Sequence, residues 1–201
     1  MNVLRQLMVV GSLVMMAQAA QAMSAPSTKQ LSLSTDSLTW ALDGYSVIGS
    51  SELPQLQGLR FHLEAFGIKL PESIIDGYGP NTGDGWQRRI DWAIMLSVDH
   101  HPFGGLKGLH WGAGFNVQES TVSRKSSPQT ESYATFEPLV RLGYQWFPRA
   151  GTGLFITPYV ALGFPIHLSE PGAIEGDVYE EAAILPVGSI QIGWRFPLSS
   201  R

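Results

Sequence analysis

The stretch "SIQIGWRF", residues 189–196, alternates small or polar residues with bulky apolar ones and ends on an aromatic. In an extended strand neighbouring side chains point to opposite faces. Ser189, Gln191, Gly193 and Arg195 therefore share one face, and Ile190, Ile192, Trp194 and Phe196 the other. What touches the apolar face decides the fold. Protein there makes the segment part of a soluble sheet, and lipid makes it one stave of a membrane barrel.

The same period of two runs back through the chain. Residues 183–196 form the last strand. Before it, "GLFITPYVALGFPIHL" (153–168) sets Leu154, Ile156, Val160, Leu162, Phe164 and Ile166 against Thr157, Tyr159, Ala161, Gly163 and His167. "YATFEPLVRLGYQWF" (133–147) opposes Phe136, Val140, Leu142, Tyr144 and Trp146 to Glu137, Arg141 and Gln145. "GLHWGAGFNVQ" (108–118), "WQRRIDWAIMLSVDH" (86–100) and "GLRFHLEAFGIKL" (58–70) repeat the design, with Ile90, Trp92, Ile94 and Leu96 opposite Arg89, Asp91, Ser97 and Asp99. Further back, "LTWALDGYSVIG" (38–49) reads as a seventh strand, broken in phase at Gly44. "STKQLSLS" (27–34) is the candidate eighth, and residues 23–50 can also be read as one strand or a plug. Pro138, Pro158 and Pro186 each remove a ladder donor, and Pro158, central in its strand, implies a local bulge. The links 71–85, 119–132 and 169–182 are long, and those at 101–107 and 148–152 are shorter. Long loops at one end and short turns at the other are the habit of a transmembrane barrel.

The ends and the composition narrow the class. Arg5, the apolar run "LMVVGSLVMM" (7–16) and the small residues of Ala20-Gln21-Ala22 have the layout of a cleaved signal peptide over 1–22, which leaves 23–201 as one domain. The apolar run is too short to cross a bilayer as a helix. Without Arg5 the 13 basic residues become 12, against 17 acids. Nucleic acid needs a basic footprint and is excluded as a partner. The chain has no cysteine, hence no disulfide, thiol chemistry or lipidated N-terminal cysteine.

A soluble lipocalin-like barrel in the periplasm would bury the apolar faces in its cup, whereas an outer-membrane barrel turns them to lipid. Aromatics at strand ends favour lipid: Trp146 and Phe147, Trp194 and Phe196, Trp86, Tyr133 and Phe136. The other face mixes small residues with opposite charges, Arg60/Glu64, Arg89/Asp91 and Glu137/Arg141. An eight-stranded lumen is just wide enough for side chains to fill, so such groups close it without a pore. The expectation is an all-β, up-and-down antiparallel transmembrane barrel of eight strands. Its polar, filled lumen is built from Arg60, His62, Glu64, Arg89, Asp91, Asp99, His110, Glu137, Arg141, Gln191 and Arg195.

On these residues, over roughly 58–196, the chain resembles the small outer-membrane β-barrel proteins of Gram-negative bacteria. In that family the last strand ends in alternating aromatic or apolar residues read by the barrel assembly machinery. Ile192, Trp194 and Phe196 match that signal, although Gln191 stands where glycine is frequent and "PLSSR" follows the aromatic. The resemblance implies an outer-membrane location, contact with membrane lipid and lipopolysaccharide, and a structural or surface-interaction role without a sizeable pore. It also implies an extracellular ligand for the loops 71–85, 119–132 and 169–182.

Catalytic and metal chemistry are weaker readings. "HLS" (167–169) with a glutamate farther on resembles the lipid A deacylases of the outer membrane, which would make His167 the base, Ser169 the nucleophile and Glu181 the orienter. Glu170 replaces the asparagine usual there, and a rim histidine is the plainer reading. In "DHH" (99–101) adjacent imidazoles point opposite ways on a strand and do not share an ion. The acids of 169–182 suit a divalent cation or a solvated loop. No enzymatic activity, cofactor or metal is expected.

Overall fold

The computed structural model describes residues 30–52, 55–56, 58–78, 80–81, 85–102, 107–148 and 153–197. Residues 1–22, read as a signal peptide, and the first residues of the candidate eighth strand lie outside them. Eight long strands form the wall: β1 (Gln30–Asp36), β2 (Tyr45–Glu52), β3 (Leu59–Leu70), β4 (Trp86–His100), β5 (Gly108–Arg124), β6 (Thr130–Gln145), β7 (Gly153–Gly163) and β11 (Leu185–Pro197). Each pairs antiparallel with its sequence neighbour, β7 with β11, and β1 with β11 closes the ring. The fold is a closed, eight-stranded, up-and-down barrel. One end carries α1 (Ser37–Ala41), α2 (Glu72–Tyr78), the β5–β6 turn and the link 164–184 with the short strands β8 (Ile166–His167), β9 (Ala173–Ile174) and β10 (Asp177–Val178). The other end carries the remaining links, the start of β1 and the end of β11.

Burial alternates along the strands, and the charged face is the inner one. Arg60, His62, Glu64, Asp99, His110, Glu137, Arg141, Gln191 and Arg195 are all buried. The apolar rows stand outside, with Trp92, Ile94, Leu96, Trp111, Leu142, Trp146, Leu162, Ile192 and Trp194 each more than a third exposed. A soluble cup would show the reverse order. On β6 and the bridge residue that follows it, the outward row from Phe136 to Trp146 spans about ten steps of about 3.3 Å, which at a tilt of about 40° stands about 25 Å tall. That is the height of the apolar band on a transmembrane barrel. Beyond Trp92 the outer face turns polar: Thr121 Oγ1 donates to Asp91 Oδ2 at 2.6 Å, and Trp92 Nε1 donates to Glu119 Oε2 at 2.8 Å.

Several local expectations need correction. Residues 38–49 do not form one strand, because Asp36 accepts a hydrogen bond from the Leu38 amide at 2.9 Å and caps α1, so β2 starts only at Tyr45. Residues 119–132 are largely strand, since β5 and β6 rise above the apolar band with polar residues on both faces, which hides the alternation. In β4 the register shifts between Ile90 and Trp92. This bulge turns Arg88 and Ile90 inward and puts Arg89 and Asp91 on the outside, against the lumen assignment made for them. Finally, Trp86, Tyr133 and Phe147 are buried inside and do not belong to an aromatic girdle.

Pro158 causes no bulge. Trp146 and Ile156 exchange both backbone bonds at 2.9 Å. Such pairs recur every second residue, so the next would set Tyr144 opposite Pro158, where the donor is missing. The β6–β7 ladder lapses there and resumes at Gly143 opposite Tyr159, while β11 pairs straight through with Ile190 opposite Pro158.

Candidate functional site in the barrel lumen

The half of the lumen nearer the short turns is organised around Asp99. Arg141 donates Nε to Oδ1 at 2.6 Å and a terminal nitrogen to Oδ2 at 2.5 Å. His62 Nε2 lies 2.9 Å and His110 Nε2 3.5 Å from Oδ2. The opposite edge of His62 meets Ser50 Oγ at 2.9 Å. Two glycines on neighbouring strands make room for the cluster. A Cβ at Gly112 would overlap the Asp99 carboxylate, and one at Gly143 would stand 2.6 Å from the His110 ring.

Around this hub the remaining bases are stacked or paired. Arg60 donates to Gln145 Oε1 at 2.8 Å and to Ser32 Oγ, and its guanidinium sits 4.9 Å from the Phe155 ring centre. Arg195 lies 4.2 Å from the Phe147 ring and 3.9 Å from Glu52. His101 stacks on His110 at 4.9 Å, while His100 points outward against Trp111. The two imidazoles of the Asp-His-His run thus diverge. A carboxylate taken out of water is tolerated when each oxygen is matched by fixed donors, and Asp99 meets that condition.

The charge pairs read along single strands do not form in the lumen. Arg60 and Glu64, or Glu137 and Arg141, are four residues apart, which in a strand is about 13 Å. Glu64 instead accepts from Ser46 Oγ and Glu137 from Asn116 Nδ2, both at 3.1 Å, and Arg141 turns to Asp99. Arg89 and Asp91 do pair, at 2.6 Å, but on the outer surface with Arg89 at 68% side-chain exposure.

Toward the loop end the lumen is roofed by Ile75, Trp86, Val122, Tyr133, Ile174 and Tyr179. Arg88, which the sequence reading did not single out and the bulge brings inward, forms a buried ion pair with Glu181 and donates Nε to Ser120 Oγ at 3.2 Å. Tyr179 packs edge-on against Trp86 at 5.5 Å, and burial pushes its phenol pKa up. The adjacent link is tied down by Arg124 to Asp177 at 2.5 Å, Ser126 to Glu175 at 3.0 Å and Asn81 to the Glu180 backbone at 3.1 Å. Among the described residues the acids of 169–182 are drawn to Arg124, Ser126, Arg88 and His167, and no three of them gather at one point.

The His167, Ser169 and Glu181 arrangement is also accounted for. Ser169 Oγ accepts the Ala134 amide at 2.9 Å. His167 meets Glu170 through Nδ1 at 2.8 Å and Glu181 through Nε2 at 3.4 Å. A base–nucleophile pair requires the imidazole on the serine oxygen, and here both ring nitrogens face carboxylates. Glu181 serves Arg88. Of the final-strand residues, Ile192, Trp194 and Phe196 stand outward in one row, paired across to Thr35, Leu33 and Leu31 of β1.

No family model and no curated protein matches the sequence. Among solved structures the chain is similar to the N-terminal β-barrel domain of Pseudomonas aeruginosa OprF, at 8% identity and a TM-score of 0.45, over 84% of this chain and 97% of that one. It is also similar to Neisserial surface protein A, NspA, at 12% identity and a TM-score of 0.36, over 85% and 95% of the two chains.

Proposed function

We propose that the chain is an outer-membrane barrel of a Gram-negative envelope with a structural or surface-presenting role and no pore of useful size. The observation that carries this reading is the inversion of polarity: the Asp99–Arg141–His62–His110 cluster is sealed inside, and the tryptophan and leucine rows cover the outside. In water such an exterior would be a very large apolar patch, and in a bilayer it is solvated. Lipid and lipopolysaccharide would cover the band, the assembly machinery would read Ile192, Trp194 and Phe196, and the tied-down loop end would be the surface offered to an extracellular ligand.

Fractionation and reconstitution test the proposal together. The protein should resist extraction without detergent, migrate faster on unboiled than on boiled gels, and add no current to a planar bilayer. Release by carbonate alone, or large and stable single-channel currents, would overturn it.

A further inference from the structure

Beyond the sealed half, the lumen widens toward the loop end into a blind cavity of about 280 Å³. That volume is close to the lower end of the range for small-molecule pockets and suits a medium-chain amphiphile. Its floor is Arg141 and Met95. Its walls carry Leu38 of α1 and Leu42 just after it, Phe66 and Ile68 of β3, Ile90 of β4 and Leu139 of β6. The β11 side is open: Val187, in phase with the inward-facing Ser189 and Gln191, remains 39% exposed. A cavity of this composition suits a ligand that is mostly apolar.

The polar groups that line it are unbalanced in charge. Three carboxylates face it, and among the described residues each is hydrogen-bonded by neutral groups and by no base. Asp36 is held by the Leu38 amide, Ser189 Oγ and Tyr159 OH, Glu64 by Ser46 Oγ, and Glu137 by Asn116 Nδ2. The two arginines that also line the cavity are already committed, Arg141 to Asp99 and Arg88 to Glu181. Among the described residues, Glu64 Oε2 and Asn116 Oδ1, on residues 4% and 2% exposed, are acceptors without a donor. A buried acceptor left unmatched is costly, and an ammonium supplies three donors and a compensating charge.

We propose that this half of the lumen binds a single-chain amphiphile with a cationic amine head, the amine toward Glu64 and Glu137 and the chain along the Leu38, Ile68 and Leu139 wall. The chemistry fits either a free alkylamine or the amine of a membrane lysolipid. An anionic chain of the same length would set its carboxylate among three others and is disfavoured.

The test titrates the full chain, folded in maltoside micelles, with decylamine, decanoate and decanol, read by methyl NMR of isoleucine and leucine. Decylamine should shift Ile68, Ile90 and Leu139 but not Leu96 or Leu142 on the outer wall, and should bind at least about tenfold more tightly than decanoate. In the Glu64→Gln, Glu137→Gln double variant that preference should fall to about twofold or less while decanol binding persists. Should the double variant fail to fold, judged by heat-modifiable migration, the wild-type comparison still decides. Equal affinity of wild type for decylamine and decanoate, or shifts confined to the outer rows, would overturn the proposal. Lysophosphatidylethanolamine in place of decylamine separates the sources: shifts with both support a lipid amine, and shifts with decylamine alone support a free one.

Discussion

Asp99 shows how a single residue is made tolerable inside the barrel. Its two oxygens meet Arg141 through a two-pronged pair and His62 through a third contact, and Gly112 on the adjacent strand leaves the space its carboxylate occupies. Replacing Arg141 by methionine preserves bulk but strands the carboxylate, which costs about 3–5 kcal/mol. The Asp99→Asn, Arg141→Met double variant removes both charges and should lose clearly less than the sum of the single losses. Urea unfolding in micelles measures this, and an Arg141→Met protein within about 0.5 kcal/mol of wild type would show that the hub is not held by charge pairing. Parity along the strands was enough to put Arg60, His62, Asp99, His110 and Arg141 on one face. It did not reveal their partners, because a lumen joins side chains across strands and the pairing Asp99–Arg141 spans 42 positions.

At the scale of elements, the misplacement of Arg89 and Asp91 has a single cause. A period of two survives only while the register is unbroken, and one extra residue inverts everything beyond it. The bulge between Ile90 and Trp92 moved Arg89 and Asp91 out and Arg88 in. The doublet Arg88-Arg89 followed by Ile90 was ambiguous by itself; the partner that resolves it, Glu181, sits on the far link. Residues 37–41 turn helical under the Asp36 cap, and packing of Leu38 and Leu42 against the Ile68, Ile90 and Ala93 cluster holds the turn in place. By contrast, β11 was legible almost to the residue because its outer row from Ile190 to Phe196 is uniformly apolar. The bulge is open to direct test by single cysteines in intact cells. Arg89→Cys should react with a membrane-impermeant maleimide and Leu96→Cys, within the apolar band, should not. An unreactive Arg89→Cys in a folded barrel would return Arg89 to the lumen.

For the whole molecule the decisive variable is which side of the wall each tryptophan occupies. The chain has six. Trp40, Trp92, Trp111, Trp146 and Trp194 are exposed on the outside, at 37% or more, whereas Trp86 is 1% exposed beneath Tyr179 and Arg124. The five outer rings mark two heights: Trp92 and Trp40 near the loop end, Trp111, Trp146 and Trp194 toward the short turns. Indoles gather at those heights because they are apolar in body and polar at the N–H, which suits the boundary between headgroup and chain. Single-tryptophan variants in bilayers of brominated lipid separate the two sides of the wall. The Trp111-only and Trp146-only proteins should be strongly quenched, with the efficiency depending on bromine depth, and the Trp86-only protein should be nearly unquenched. A soluble barrel with an apolar cup would reverse this, since its tryptophan rows would be shielded from lipid altogether. Strong quenching of Trp86 with silent Trp111 would therefore refute both the orientation of the wall and the lipid-facing band built on it.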